Sequence, residues 1–270
     1  MSRIKSTFAA LKKRHEVALV PFIMAGDPDL ETTRQLLLAA ADAGADLIEL
    51  GVPFSDPTAD GPVIQRAGVR ALAQGTSLRQ ILELVAELRR GGFETPLVLF
   101  GYYNPYFHYG PERLVADARQ AGVDGLLVVD LPPEEADELW TPARAAGLDI
   151  IFLLAPTSDR KRVKTVLAKA SGFVYFVSMT GVTGSRAIDT ADVAALVGDV
   201  RKQCRLPIGV GFGISTPEQA AAVACYADAV VVGSAITRLI EIEHGSPALV
   251  RSVGAFIRVL KDATRAPAAA

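Results

Sequence analysis

Apolar residues along this chain fall into short, nearly continuous runs separated by polar, turn-forming segments. Eight such runs stand out: VALVPFIMAG (17–26), ADLIELGV (45–52), PLVLFGYYN (96–104), GVDGLLVVD (122–130), DIIFLLAP (149–156), FVYFVSMT (173–180), PIGVGFG (207–213) and DAVVVGSA (228–235). They are rich in Val, Ile, Leu and Phe, the composition of parallel strands covered by helices. Helical spacing marks the segments between them. LETTRQLLLAAADAG (30–44) and VIQRAGVRALAQG (63–75) carry apolar residues at that spacing, and PERLVADARQAG (111–122) opens on Pro, which suits a first helical position. TPEQAAAVAC (216–225) offers Thr216 as N-cap with Pro217 behind it. One joint recurs as AGAD (43–46), AGVD (121–124) and AGLD (146–149), where Gly can end a helix in the left-handed conformation just before the next strand.

Eight strands alternating with helices predict either a (β/α)8 barrel or a doubly wound sheet. The 270-residue length matches a barrel, which typically needs about 250 residues. No G-x-G-x-x-G follows the first strand, which disfavours a dinucleotide-binding sheet. The expectation is therefore an α/β chain, 1–270, forming a single (β/α)8 TIM barrel with an extra N-terminal helix. That helix, 2–14, places Ile4, Phe8 and Leu11 on one face and is expected to cover the barrel bottom. The tail 266–270, APAAA, is expected to fray.

Charge and composition change the picture mainly by exclusion. A net charge of −2 gives no electrostatic case for nucleic acid or an anionic membrane. Cys204 and Cys225 make no close-spaced pair, so the default compartment is the reducing cytoplasm. Lys12, Lys13 and Arg14 precede an apolar stretch, but that stretch is interrupted by Pro21 and lacks a clear cleavage site, so it reads as a first strand. No apolar run approaches the ~18 residues of a membrane span. His15, His108 and His244 are scattered and form no metal motif, and the strand ends carry no Lys for a Schiff base.

Glu49 breaks the apolar pattern of the second run. Strand side chains alternate, so if Ile48 and Leu50 face the helices, Leu47, Glu49 and Gly51 face the barrel axis near the strand's C-terminal end. Burial there would raise the carboxyl pKa toward the range of a proton-transfer catalyst. The alternative is an ion pair, yet none of the eight runs contains Arg or Lys. Asp60 precedes Gly61-Pro62 and a helix, so on spacing alone a cap and a catalyst stand equal. Asp56, in Ser-Asp-Pro, reads as a turn or interface residue.

Glycines gather after the last three strands, in TGVTGSRA (180–187), GFGIS (211–215) and GSA (233–235). Loops after strands seven and eight are this fold's recurring phosphate site, and Ser234 adds a hydroxyl. TGVTGS also has the look of a movable lid. Phe22, Phe100, Tyr102, Tyr175 and Phe212 fall at the mouth, where aromatics either pack or clasp a flat ligand. The sum describes a substrate with an aromatic part and a phosphate tail.

The blocks PFIMAGDP (21–28), LIELGVPFSDPTADGP (47–62), VVDLP (128–132), SMTGVTG (178–184), GFGIS (211–215) and GSAI (233–236) resemble the tryptophan synthase alpha-subunit family, from about Phe8 to Leu260. The acidic block is the specific part. The resemblance implies a lyase performing retro-aldol cleavage of indole-3-glycerol phosphate to indole and glyceraldehyde 3-phosphate, with no metal or organic cofactor in this subunit. By position it implies Glu49 as general acid/base and Asp60 as partner of the indole N–H. It implies Tyr175 at the reacting centre, and Phe22, Phe100, Leu127 and Phe212 around the indole. Gly184, Gly213, Gly233 and Ser234 would hold the phosphate, and Thr183 would approach Asp60 when the lid closes. The implied partner is a pyridoxal-phosphate beta subunit in an alpha-beta-beta-alpha heterotetramer, facing Pro53, Asp56, Asn104 and loops 53–60, 102–108 and 179–190. Thr58 departs from the family's usual aliphatic residue, which affects loop packing more than chemistry. Asp130 is either interfacial or positions its neighbouring loop. The rival readings are a free-standing indole-releasing lyase and a non-catalytic barrel that activates a partner.

Overall fold

The computed structural model describes residues 2–177, 190–211 and 213–265. The expected lid, Thr183, Gly184, Phe212 and the tail 266–270 lie outside the described residues. In chain order the elements are α1 (Arg3–Arg14), β1 (Ala18–Met24), α2 (Leu30–Asp42), β2 (Ile48–Gly51), α3 (Pro62–Ala73), α4 (Leu78–Arg90), β3 (Leu97–Gly101), α5 (Tyr103–Tyr109), α6 (Pro111–Ala121) and β4 (Gly125–Val128). There follow α7 (Asp137–Ala146), β5 (Asp149–Leu154), α8 (Arg160–Lys169), β6 (Val174–Val177), α9 (Thr190–Arg201), β7 (Ile208–Gly211), α10 (Pro217–Ala224), β8 (Ala229–Val232), α11 (Ser234–Ile242) and α12 (Leu249–Arg265). The strands are all parallel and close in sequence order, β8 pairing back onto β1 through Ala18 opposite Ala229. This is a (β/α)8 barrel.

Alternation sorts the side chains as expected. Ile48 and Leu50 belong to the layer between strands and helices, whereas Leu47 joins Val20, Val98, Leu127, Ile151, Phe173 and Val231 inside the barrel. The N-terminal helix plugs the closed end from below. Its buried Ile4, Phe8 and Leu11 join the interior cluster, with the Phe8 ring 5.8 Å from that of Phe173. Each such fully buried side chain contributes roughly 1.5–3 kcal/mol of transfer free energy.

The recurring AG-x-D joint works on both of its residues. Gly44, Gly122 and Gly147 all take positive φ, the region that favours glycine at a helix end. The aspartates of the first two joints clip neighbouring strands together. Asp46 accepts the Leu19 N–H at 2.8 Å and Asp124 accepts the Leu97 N–H at 2.9 Å. Asp228 repeats the device on Ile208 N–H at 2.8 Å. The third run is shorter than its sequence pattern: β3 stops at Gly101 and α5 begins at Tyr103, where Asp130 Oδ1 accepts the first helical N–H at 2.7 Å. Asp130 therefore positions the adjacent segment.

Candidate active site

At the C-terminal end of the strands lies a cavity of about 500 Å³. Phe22, Glu49, Asp60, Phe100, Tyr175, Gly213, Gly233 and Ser234 all line it. Sequence reasoning missed most of its apolar wall: Ile64, Val129, Leu153, Val177, Ile214 and Val231. Continued alternation along the strands would have pointed to Val129, Leu153, Val177 and Val231. Leu127 takes a different place from the one implied for it. It is fully buried in the barrel interior and does not line the cavity, and Val129 holds the wall on that strand. A groove of similar volume, about 520 Å³, runs between α4 and α6. Its charges are largely spent on one another, Arg79 on Glu83 at 3.1 Å and Arg113 on Asp117 at 3.5 Å, and it holds no buried acid.

Glu49 is 1% exposed, and its Oε1 has no hydrogen-bond partner among the described residues. Burial alone pushes its carboxyl up to about 8, because the charged form loses its hydration and no cation replaces it. It is thus mainly protonated at neutral pH. Tyr175 sits close enough that Glu49's charge, after burial, adds to a rise well above the usual phenol range. The Tyr175 ring occupies the space beside Gly211: a Cβ built there would lie 2.7 Å from Cζ, so this strand position must be glycine for the ring to sit there.

Asp60 does not cap α3. The N-cap is Gly61, with no side-chain cap bond, and Pro62 opens the helix. The Asp60 side chain instead reaches the cavity wall, where burial pushes it up to about 6 against a hydrogen bond from Tyr102 that pulls it down. The two carboxyls thus titrate on either side of neutrality, one as an acid and one as an anion, the division acid/base chemistry needs.

Opposite them, α11 begins at Ser234 with Gly233 as its N-cap. The free N–H groups of a helix start favour an anion, and Ser234 is exposed to supply a hydroxyl. Gly213 holds φ +80 on the facing loop, a conformation glycine adopts without strain. A chain of ion pairs fixes α11 against its neighbours. Buried Asp27, after β1, accepts from Nε and Nη2 of Arg70 at 2.7 and 2.8 Å, Arg70 Nη1 reaches Glu241 at 2.9 Å, and Arg66 closes on Glu241 at 2.6 Å.

At the outer rim, Asp56 and Asn104 are exposed, whereas Pro53 is buried beneath the loop. His108 is exposed on the last turn of α5, away from any metal-type cluster. Among the described residues no group of His, Cys, Asp and Glu is arranged to hold a metal ion.

Residues 8–265 match the family described as tryptophan synthase alpha chain. The chain belongs to that family. It is 58% identical to the tryptophan synthase alpha chain of Citrifermentans bemidjiense over 262 residues, 97% of each chain. It is 54% identical to that of Geobacter sulfurreducens, over 97% of this chain and 99% of the other. The crystal structure of tryptophan synthase subunit alpha from Legionella pneumophila superposes with a TM-score of 0.91 at 39% identity, covering 98% of both chains. A chain of tryptophan synthase from M. tuberculosis gives 0.88 at 32% identity, covering 98% of this chain and 99% of the other.

Proposed function

We propose that the cavity above β2 is where this tryptophan synthase alpha chain cleaves indole-3-glycerol phosphate, with Glu49 and Asp60 dividing the proton chemistry. The reaction is a carbon–carbon lyase step of tryptophan biosynthesis and yields indole and glyceraldehyde 3-phosphate. Protonated Glu49 delivers its proton to the indole carbon that bears the side chain. Positive charge then develops on the ring nitrogen, and ionised Asp60 accepts the N–H and stabilises it. The resulting Glu49 carboxylate takes the proton of the neighbouring glycerol hydroxyl. The carbon–carbon bond breaks, its electron pair returns to the ring, and the aldehyde leaves. Phe22 and Phe100, in edge-to-face contact at 5.2 Å, flank the flat ring. The start of α11 with Gly213, Gly233 and Ser234 receives the phosphate.

The alpha chain supplies this chemistry without a cofactor, and pyridoxal phosphate belongs to the beta subunit with which it forms a complex. The docking face we assign carries Asp56 and Asn104, joined by Phe107, which is 57% exposed beside them on α5. Pro53 shapes the loop from below. No helix among the described residues is long and apolar enough to cross a membrane, and we assign the protein to the cytoplasm.

The observation carrying this reading is the buried, cation-free Glu49 on the wall of a cavity that also receives a helix start. Glu49→Gln keeps the shape and removes the transferable proton. Indole release is expected to fall by about 10²–10⁴-fold, with an unaltered circular dichroism spectrum. Turnover within a few-fold of wild type would refute the assignment.

A further inference from the structure

Three elements meet beside the cavity, and each gives it part of its wall. Asp60 stands just before α3 and Ile64 lies on it, Phe22 comes from β1, and Gly233 and Ser234 stand at the start of α11. In the reaction proposed above, the first two elements serve the ring and the third serves the phosphate. Helices α3 and α11 pack against each other and against β1, yet their buried side chains serve different clusters. Ile64, Ala67 and Ala71 of α3 join Phe22 and Met24, whereas Ile236 and Ile240 of α11 join the layer between strands and helices. Charge is what crosses from one helix to the other. Among the described residues, the hydrogen bonds from α3 to α11 all end on Glu241. Arg66 gives it Nε and Nη2 at 2.6 and 2.8 Å, and Arg70 gives it Nη1 at 2.9 Å. Arg70 turns its Nε and Nη2 to Asp27 after β1, so the joint holds all three elements. It lies about 10 Å along α11 from Ser234, at 1.5 Å per residue.

Resting on the function proposed above, we propose that Glu241, with Arg66 and Arg70, is a positioning residue that fixes the span between the ring end and the phosphate end of the cavity. It thereby selects the length of the chain that joins indole to phosphate. A ligand anchored at both ends gains from its second anchor only when its own length matches the distance between them. The joint suits that work better than it suits holding the fold together. The Glu241 side chain is 26% exposed and that of Arg66 53%, and ion pairs so exposed add little stability. The forked contact from Arg66 nevertheless sets direction as well as distance. When the joint is cut at Glu241, the buried Asp27–Arg70 pair survives, α3 stays on Phe22 and α11 stays on the outer layer. Only the separation of the two ends loses its fixed value.

The test is Glu241→Ala in the full chain, with two probes: indole bearing at its 3-position an unbranched chain of three carbons, or of four, that ends in phosphate. Calorimetric titration of wild type is expected to favour the three-carbon probe, which has the length of the glycerol chain, by about tenfold, the discrimination one methylene allows in a fitted site. In Glu241→Ala that preference is expected to shrink to about twofold as the matched probe weakens, while Tm falls by no more than about a few degrees. Lys261→Met, which removes the buried ammonium bound to Asp46 at the closed end, is the control for a general loss of stability. There Tm falls further and the preference remains. Equal binding of the two probes by wild type, an unchanged preference in Glu241→Ala, or an equal loss of it in Lys261→Met would overturn the proposal and leave the proposed reaction standing. Wild type that bound neither probe would take both down together.

Discussion

At the closed end of the barrel Asp46 holds the Leu19 N–H at 2.8 Å and the Lys261 ammonium at 2.7 Å. At the open end of β2, the strand that Asp46 precedes, Glu49 has neither an amide for its Oε1 nor a cation. Asp124 repeats the first pattern, with the Leu97 N–H, Arg89 at 2.7 Å and Arg3 at 3.1 Å. Burial lifts Asp124 too, but there an amide and two guanidinium groups push back. Asp60 has only a phenol to set against burial. Both ends bury acids, so burial alone does not distinguish a working carboxyl from a structural one. The partners do. Where the partners include a backbone amide and a cation, the acid fastens strands together. Where they are withheld, the acid keeps a proton that it can give away.

The contrast can be broken first by pH. An acid whose pKa is raised on folding retains a proton that the unfolded chain has already released. Stability from Glu49 is therefore full below its unfolded value of 4.5 and is lost as pH rises through about 8. Asp60 adds the same sign over a lower window, from 3.8 to about 6. Urea unfolding between pH 5 and 9 should show wild type falling more steeply than Glu49→Gln, by up to about 4 kcal/mol at roughly 1.4 kcal/mol per unit. Identical slopes would mean that Glu49 is solvated. The closed end is broken by Lys261→Met. Lys261 is buried, bonds the Val17 carbonyl at 3.1 Å as well as Asp46, and ties α12 to the base of the first two strands. Its loss leaves Asp46 without its ammonium partner and should cost about 3 kcal/mol. Activity per folded molecule, measured by titrating the active fraction, should be unchanged.

Much of this was legible in residue order. The eight strands show as apolar runs because a barrel strand is apolar on both faces, and Glu49 shows because a carboxyl in such a run is costly unless it has a use. The inward direction of Glu49 followed from alternation on either side of it. Other features were hidden because they depend on pairing across sequence distance. Whether Asp60 caps α3 depends on where Tyr102 comes to lie, and those residues are adjacent only once β3 pairs with β2. The strand clips of Asp46, Asp124 and Asp228 likewise need the closed register, so the AG-x-D signature announces its glycine but not its aspartate. Helices α4, α5, α7, α8, α9, α11 and α12 were not marked in advance. Several are short or, like the Tyr103–Tyr109 turn, continue an aromatic segment that reads as strand.

The smallest effect expected here distinguishes the two ends by glycine. At the open end a Cβ on Gly51 would lie 2.9 Å from Phe22 Cε2 and 3.1 Å from Met24 Sδ. Phe22 lines the cavity and its ring leans on Phe100, so a methyl group at 51 drives that ring toward the space the substrate needs. At the closed end a Cβ on Gly125 would lie 2.9 Å from the Asp149 carbonyl oxygen and 3.3 Å from Ile4 Cδ1, far from any reacting atom. Overpacking at either site costs about 1–3 kcal/mol, but the readout should differ. Gly51→Ala is expected to raise KM about fivefold with kcat little changed, because the ring wall contacts substrate and transition state alike. Gly125→Ala is expected to lower Tm and leave KM alone. If both variants lowered only Tm, Phe22 would be part of the core and not a wall of the site. If Gly125→Ala raised KM as much, the plug beneath the barrel would be reaching the chemistry through the stacked interior, and the two ends would not be separable.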